Sequence, residues 1–289
     1  MEFELYVPQM RLSGEAMVAR AKAAEASGFH GMAGMDHLVP PLAESQPMLS
    51  AMVTNTWLAA NTSSLVISSL VLCDSFRHPA ILAQEAASLD NLSGGRFELG
   101  IGWGSVADEM VAFDIASPDA KARLARLRDS LVIIKALWSG ESVDYEGEVF
   151  SLTGAQQGLV PISKIPIIIG GVGPQTLRLV ADHADWWNVA VNGIHRLDEM
   201  RAHAGTARVS IQQMVGFVPS EADRELVVAN TARGFGRMGG PKVGSATELV
   251  DYFGALETQG IERVYTWFSD FARPETIEAF GEQVIAQLT

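Results

Sequence analysis

The stretch Ile165–Val191, IPIIIGGVGPQTLRLVADHADWWNVAV, constrains the fold more than any other. Ile165 to Ile169 is a short apolar, β-branched run, the pattern of a parallel strand covered on both faces. Gly170, Gly171 and Gly173 break that run. Pro174 then suits the first turn of a helix, where its missing N–H would have had no partner. Leu177, Leu179, Val180 and Ala184 recur at helical spacing, and a second apolar run, Trp186–Val191, follows. The order is strand, glycine loop, helix, strand. The glycines let backbone N–H groups converge where side chains would block the approach, at the positive end of a helix. Two readings stay open here, a phosphate site and a tight turn. The spacing is not the G-x-G-x-x-G dinucleotide fingerprint.

The same alternation runs along the whole chain. Strands are predicted at Phe3–Gln9, Phe29–Met35, Leu65–Cys73, Arg96–Ile101, Ile165–Ile169, Trp186–Val191, Val209–Val218 and Glu262–Phe268. Helices are predicted at Gly14–Ser27, Ala51–Ala60, His78–Leu92, Val106–Phe113, Asp119–Trp138, Thr247–Gln259 and Pro274–Leu288. Gly140–Leu152 reads as an exposed hairpin or loop, and Glu221–Gly240 has no clear pattern. Eight strands alternating with helices, without a break in composition, predict an α/β fold: one (β/α)8 TIM barrel over residues 1–289. Chemistry in such a barrel belongs at the C-terminal strand ends. That rule selects Gln9, Asp36, His37, Val71 to Asp74, Trp103 to Ser105, Gly170 to Gly173, Val189 to Asn192 and Trp267 to Asp270.

The net charge of −13 argues against nucleic acid and anionic membrane as partners. Cys73 is the one cysteine, so no internal disulfide can form. The acidic start Met-Glu-Phe-Glu lacks a signal-peptide pattern, and no apolar run is long enough to span a bilayer, so a cytoplasmic protein is expected. Among the histidines, His37 is the candidate for proton transfer, because it stands beside Asp36 at a strand end. Neighbours on a strand point to opposite faces, so the two need not touch. His30, His183, His195 and His203 show no metal-ligand spacing, and no metal is expected. His78, before Pro79, reads as structural. Trp103, between Gly102 and Gly104, is a candidate wall for a ring or substrate. Met35 and Trp57 are candidates for an apolar substrate wall, and Trp186–Trp187 for core plus a pocket wall. Cys73 reads as a small buried residue.

Several segments carry a familiar pattern. The run Leu89–Gly102, LDNLSGGRFELGIG, resembles the bacterial luciferase-like superfamily. So do Ile168–Gly173 with its continuation through Leu179 to Asn188, Arg77-His78-Pro79, and Leu137 to Glu141. Val243-Gly244 agrees more weakly. The resemblance implies a TIM barrel that binds a flavin-type ring at its C-terminal mouth, either coenzyme F-420 or FMN. It implies that Gly170, Gly171, Val172 and Gly173 hold cofactor phosphate, with Thr176 adding a hydroxyl. It implies a bulge or non-prolyl cis peptide near Leu70–Cys73, placing Val71, Leu72 and Cys73 behind the ring, with Trp103 and Gly104 beside it. Asp36 and His37 match a pair in the deazaflavin branch, and the compact chain also favours F-420. Ser105 stands where sugar-phosphate dehydrogenases of the family carry a catalytic glutamate, which argues against a sugar-phosphate substrate. The function expected from the resemblance is hydride transfer between reduced F-420 and a small, apolar organic molecule. The alternatives are an FMN-dependent monooxygenase supplied by a separate reductase and a flavin-binding barrel without turnover. Relatives are commonly homodimers, so a homodimer is expected.

Overall fold

A computed structural model describes residues 1–41, 43, 45–115, 119–236 and 238–288. The first half contains β1 (Glu2–Tyr6), α1 (Gly14–Ala26), β2 (Gly31–Gly34), α2 (Ala51–Asn61), β3 (Val66–Ser69), β4 (Leu72–Cys73), α3 (Pro79–Ser93), β5 (Leu99–Gly102), α4 (Ala107–Ala112) and α5 (Ala120–Leu137). A hairpin of β6 (Val143–Glu146) and β7 (Ser151–Ala155) follows. The second half contains β8 (Ile167–Gly170), α6 (Pro174–His183), β9 (Trp186–Ala190), α7 (Leu197–Arg201), β10 (Arg208–Val218), α8 (Arg224–Phe235), β11 (Lys242–Ser245), α9 (Ala246–Thr258), β12 (Arg263–Phe268) and α10 (Pro274–Gln283).

The main sheet runs β3-β2-β1-β12-β10-β9-β8-β5-β4, and its strands pair in parallel. β3 and β4 are two halves of the single predicted strand Leu65–Cys73, divided at a cis peptide between Leu70 and Val71. Ile67 bridges Phe97, just before β5, and β4 pairs with β5, so the sheet closes on itself. With β3 and β4 counted together, this is the expected eight-stranded barrel. β5 lies tight against β3: a Cβ at Gly100 would stand 1.9 Å from the Ser69 carbonyl oxygen.

Two elements go beyond the expected pattern. β11 extends the sheet beside the C-terminal half of β10, with Val215 to Val218 opposite Lys242 to Ser245. α8 occupies the segment where no pattern was legible, and the reason is its small buried face, Thr231 and Phe235. Gly140–Leu152 does enter a hairpin, which runs on to Ala155.

The core lies between the strands and the ring of helices. Phe280 of α10 makes edge-to-face contacts with Phe3, Phe217, Phe253 and Phe268, tying α9 and α10 to three strands. Burying each such side chain contributes roughly 2–3 kcal/mol. Local chemistry sets the helix ends. Ser245 and Glu248 form a reciprocal capping box on α9. His78 Nδ1 accepts the Ala80 N–H at the start of α3, the structural role predicted for it.

The N-terminal end of the barrel is filled by charge. Arg263 donates to both oxygens of Glu98, at 2.5 and 3.0 Å, and to Glu2 at 2.8 Å, while its guanidinium lies 3.9 Å from the Trp186 ring. Glu4, beside this group, is wholly buried and neither of its oxygens has a hydrogen-bond partner among the described residues. Burial pushes its carboxyl well above the usual range, against the pull of Arg263. The barrel is thus closed below, which leaves the upper end for a ligand. No helix among the described residues is long and apolar enough to cross a membrane.

Candidate active site

A cavity of about 420 Å³ opens at the C-terminal ends of the strands. Tyr6 lines it from β1, and Met35, Asp36 and His37 from the end of β2. Leu70, Val71, Leu72 and Cys73 come from the β3–β4 junction, Gly102 to Ser105 from the end of β5, and Gly170 and Gly171 from β8. Eleven residues singled out from the sequence therefore meet here: Met35, Asp36, His37, Val71, Leu72, Cys73, Trp103, Gly104, Ser105, Gly170 and Gly171. Gly102 at the end of β5 and Gly104 just past it are closely packed. A Cβ at Gly102 would lie 2.8 Å from Val71 Cγ2, and one at Gly104, where φ is +83°, would lie 2.2 Å from Met110 Cε.

Asp36 and His37 lie just past β2 and have different partners. Asp36 is buried and accepts Arg77 Nη1 at 2.6 Å, Arg77 Nη2 at 3.1 Å and the Cys73 N–H at 2.9 Å. Burial opposes the charge on Arg77, but the hydrogen bonds and charge of Asp36 outweigh it and raise the guanidinium above its ordinary value. Asp36 thereby ties β4 to the end of β2. His37 Nδ1 stands 2.8 Å from Glu109 Oε2 of α4. Cys73 is buried, which pushes its thiol up to about 11 and leaves it a small neutral wall residue. Arg123 lies 4.9 Å over the Trp103 ring.

The loop after β8 is more divided than the sequence suggests. Gly171 takes φ +130°, a conformation that favours glycine. Its N–H donates to the Asn188 carbonyl at 3.2 Å, and its own carbonyl accepts Trp187 Nε1 at 2.8 Å. Val172, Gly173 and Thr176 do not line the cavity and sit beyond it at the start of α6. Gly173 is the N-cap of α6 and supplies no side-chain cap, so the first-turn N–H groups have no side-chain acceptor there. Thr176 is buried beside them.

Two aromatic assignments do not hold. Trp57 is half exposed on α2 and lines no part of this cavity, unlike Met35. Trp186 and Trp187 are both core: Trp186 packs at the closed end against Arg208 and Arg263, and Trp187 braces Gly171 from outside the cavity. Sequence reasoning missed Glu109, Arg77, Phe76 and Met110. The available signal for Glu109 was an acidic residue on a helix that begins just past a barrel strand. Among the described residues, no group of three or more His, Cys, Asp or Glu could hold a metal.

The family model described as luciferase-like monooxygenase matches residues 4–236. The chain belongs to that family. Among curated proteins, this luciferase-like chain is 36% identical over 163 residues to an F-420-dependent glucose-6-phosphate dehydrogenase of Microbacterium testaceum, covering 56% of this chain and 48% of the relative. It is 32% identical over 195 residues to an F-420-dependent hydroxymycolic acid dehydrogenase of Mycobacterium tuberculosis, covering 67% of this chain and 54% of the relative. The match thus spans about half the length of these relatives. Among solved structures, an F-420-dependent secondary alcohol dehydrogenase with an F-420–acetone adduct superposes with a TM-score of 0.81 at 19% identity, covering 99% of this chain and 98% of that one. A monooxygenase from Streptomyces bottropensis gives 0.82 at 18% identity and full coverage of both chains. These superpositions establish the shared luciferase-like barrel.

Proposed function

We propose that the protein is an oxidoreductase that uses coenzyme F-420 to move hydride to or from a small, uncharged, largely apolar organic molecule. The observation that carries this reading is the character of the cavity. Its lining contains Met35, Leu70, Val71, Leu72, Phe76, Val106 and Met110, and among the described residues it contains no lysine or arginine. The volume, about 420 Å³, falls in the usual range for small-ligand sites.

The residues fit a flat ring with a phosphate-bearing tail. Gly170 and Gly171 line the wall without side chains of their own, which suits the close approach of a planar group. The uncapped first turn of α6, with Gly173 and Thr176, is suited to an anion. Val71, Leu72 and Cys73 would back the ring, with Trp103 beside it, and Asp36 fixes that wall through the Cys73 amide. When bound, the deazaflavin supplies two-electron hydride chemistry. His37 accepts or supplies the accompanying proton, and the apolar walls exclude water.

The matched glucose-6-phosphate dehydrogenases are named for an anionic substrate, whereas the cavity here has no cationic lining residue among the described residues to pair with one. Purified protein should oxidise reduced F-420 anaerobically with uncharged carbonyl or enone acceptors and should not reduce F-420 with glucose 6-phosphate. Turnover of the sugar phosphate at a comparable rate would overturn the substrate assignment. We also propose a homodimer. α2 and α3 flank a shared groove at which Val53 is 70% and Leu92 is 76% exposed. Such apolar groups are costly to leave in water.

A further inference from the structure

The carboxylate that serves His37 is not its sequence neighbour. Asp36 is occupied by Arg77 and the Cys73 amide. The partner is Glu109, 72 positions along the chain, whose Oε2 lies 2.8 Å from His37 Nδ1. Its other oxygen accepts the N–H groups of Leu38 at 2.5 Å and Val39 at 3.0 Å. The side chain of Glu109 is 3% exposed and that of His37 is 18% exposed. An ionised carboxylate only accepts hydrogen bonds, so the hydrogen between the two belongs to Nδ1. Nε2 then carries the lone pair, on a residue that lines the cavity and with no hydrogen bond to Nε2 from the described residues.

We infer that Glu109 is a positioning residue for His37: it fixes the Nδ1–H form of the ring, presents Nε2 as the proton-exchanging nitrogen, and clamps the loop after β2 to α4. The inference rests on the reading of this cavity as an active site. It adds the residue that sets which nitrogen does the work. The clamp explains why one side chain uses both oxygens. Two backbone donors hold Oε1 still, and a fixed Glu109 holds the imidazole orientation.

The test is a pair of variants read in two independent ways. Glu109→Gln keeps an oxygen for the Leu38 and Val39 N–H groups but presents an amide N–H to His37 Nδ1, so the hydrogen should move to Nε2. Long-range 15N–1H spectra of histidine-labelled apo-protein at pH 9, with His37 assigned by its loss in His37→Asn, report the protonated nitrogen directly. Wild type should show Nδ1–H, and Glu109→Gln should invert the pattern. In steady-state assays with reduced F-420, Glu109→Gln should lose about 10²- to 10⁴-fold in kcat, the scale of a misplaced imidazole tautomer. Its cofactor Kd should stay within about threefold, and Glu109→Asp should recover at least tenfold of the lost rate. An Nε2–H ring in wild type, or an unchanged ring pattern in Glu109→Gln, would overturn the inference. If wild type shows no F-420 turnover, the cofactor assignment falls, while the NMR result still decides the role of Glu109.

Discussion

Replacing Asp36 with asparagine probes the wall of the cavity and the energetics beneath it together. Asp36 accepts three hydrogen bonds, two from Arg77 and one from the Cys73 amide. Its side chain is 5% exposed and that of Arg77 is 16% exposed, so solvent screens the pair weakly. Removing one partner of a buried ion pair costs about 3–5 kcal/mol, because the other charge is left unpaired. Arg77 retains a second carboxylate, Glu85, 3.8 Å away and 40% exposed, which offsets part of the loss. The expected cost of Asp36→Asn is therefore at the low end, about 3 kcal/mol. Urea unfolding at pH 7, followed by tryptophan fluorescence, measures it. Arg77→Met alone should cost a similar amount. The double variant should cost at least about 1 kcal/mol less than the sum, because neither partner is then stranded. F-420 affinity should fall in Asp36→Asn, since a single amide oxygen replaces the two carboxylate oxygens that hold Arg77 and the Cys73 amide. A cost below about 0.5 kcal/mol, the size of an ordinary surface change, would refute this reasoning, as would strict additivity.

Other perturbations probe separate parts of the account. Gly104→Ala places a Cβ at φ +83° and 2.2 Å from Met110 Cε, so it should lose about 1–2 kcal/mol in urea unfolding and weaken cofactor binding; unchanged stability would show that the positive φ is not a constraint. With its thiol pushed up to about 11, Cys73 should react with iodoacetamide at pH 8 at least about 100-fold more slowly in native than in unfolded protein, and equal rates would contradict its burial. The raised carboxyl of Glu4 means the folded state holds a proton that the unfolded state releases. Glu4 therefore costs stability as pH rises from the ordinary carboxylate range toward its raised folded value. Urea midpoints should accordingly favour Glu4→Gln over wild type increasingly with pH, and a constant difference would refute the assignment. Val53→Glu with Leu92→Glu should convert a sedimenting dimer to a monomer that keeps its fold; a wild-type monomer, or a dimer that survives the substitutions, would remove the α2–α3 face as the interface.

Much of this arrangement was legible because it depends on local pattern. Ile165–Ile169 reads as a doubly covered strand, and β8 is one, with Ile167 to Ile169 wholly buried. The alternation of such runs with helices leads to the barrel, and the barrel rule alone brings Asp36, His37, Cys73 and Trp103 to one cavity. What stayed hidden depends on long-range pairing. The partner of His37 is 72 residues away and that of Asp36 is 41 away, and no local spacing links them. α8 was illegible because two buried side chains do not make an apolar stripe. Trp57 was misplaced because the buried and exposed faces of α2 both carry apolar residues, so composition does not say which face looks inward. The glycine loop was read as one unit, whereas the structure divides it between the cavity, which takes Gly170 and Gly171, and the cap of α6, which takes Gly173.

Parallel titration of purified apo-protein with F-420 and with FMN tests the central claim most directly. The account predicts tight binding of F-420, FMN at least about tenfold weaker, which is about 1.4 kcal/mol, and loss of F-420 affinity when Gly173 is replaced by aspartate at the first turn of α6. Tighter binding of FMN would contradict the deazaflavin assignment and favour an oxygen-using flavoprotein. Binding of neither would remove both the ring site at the barrel mouth and the anion site beside it.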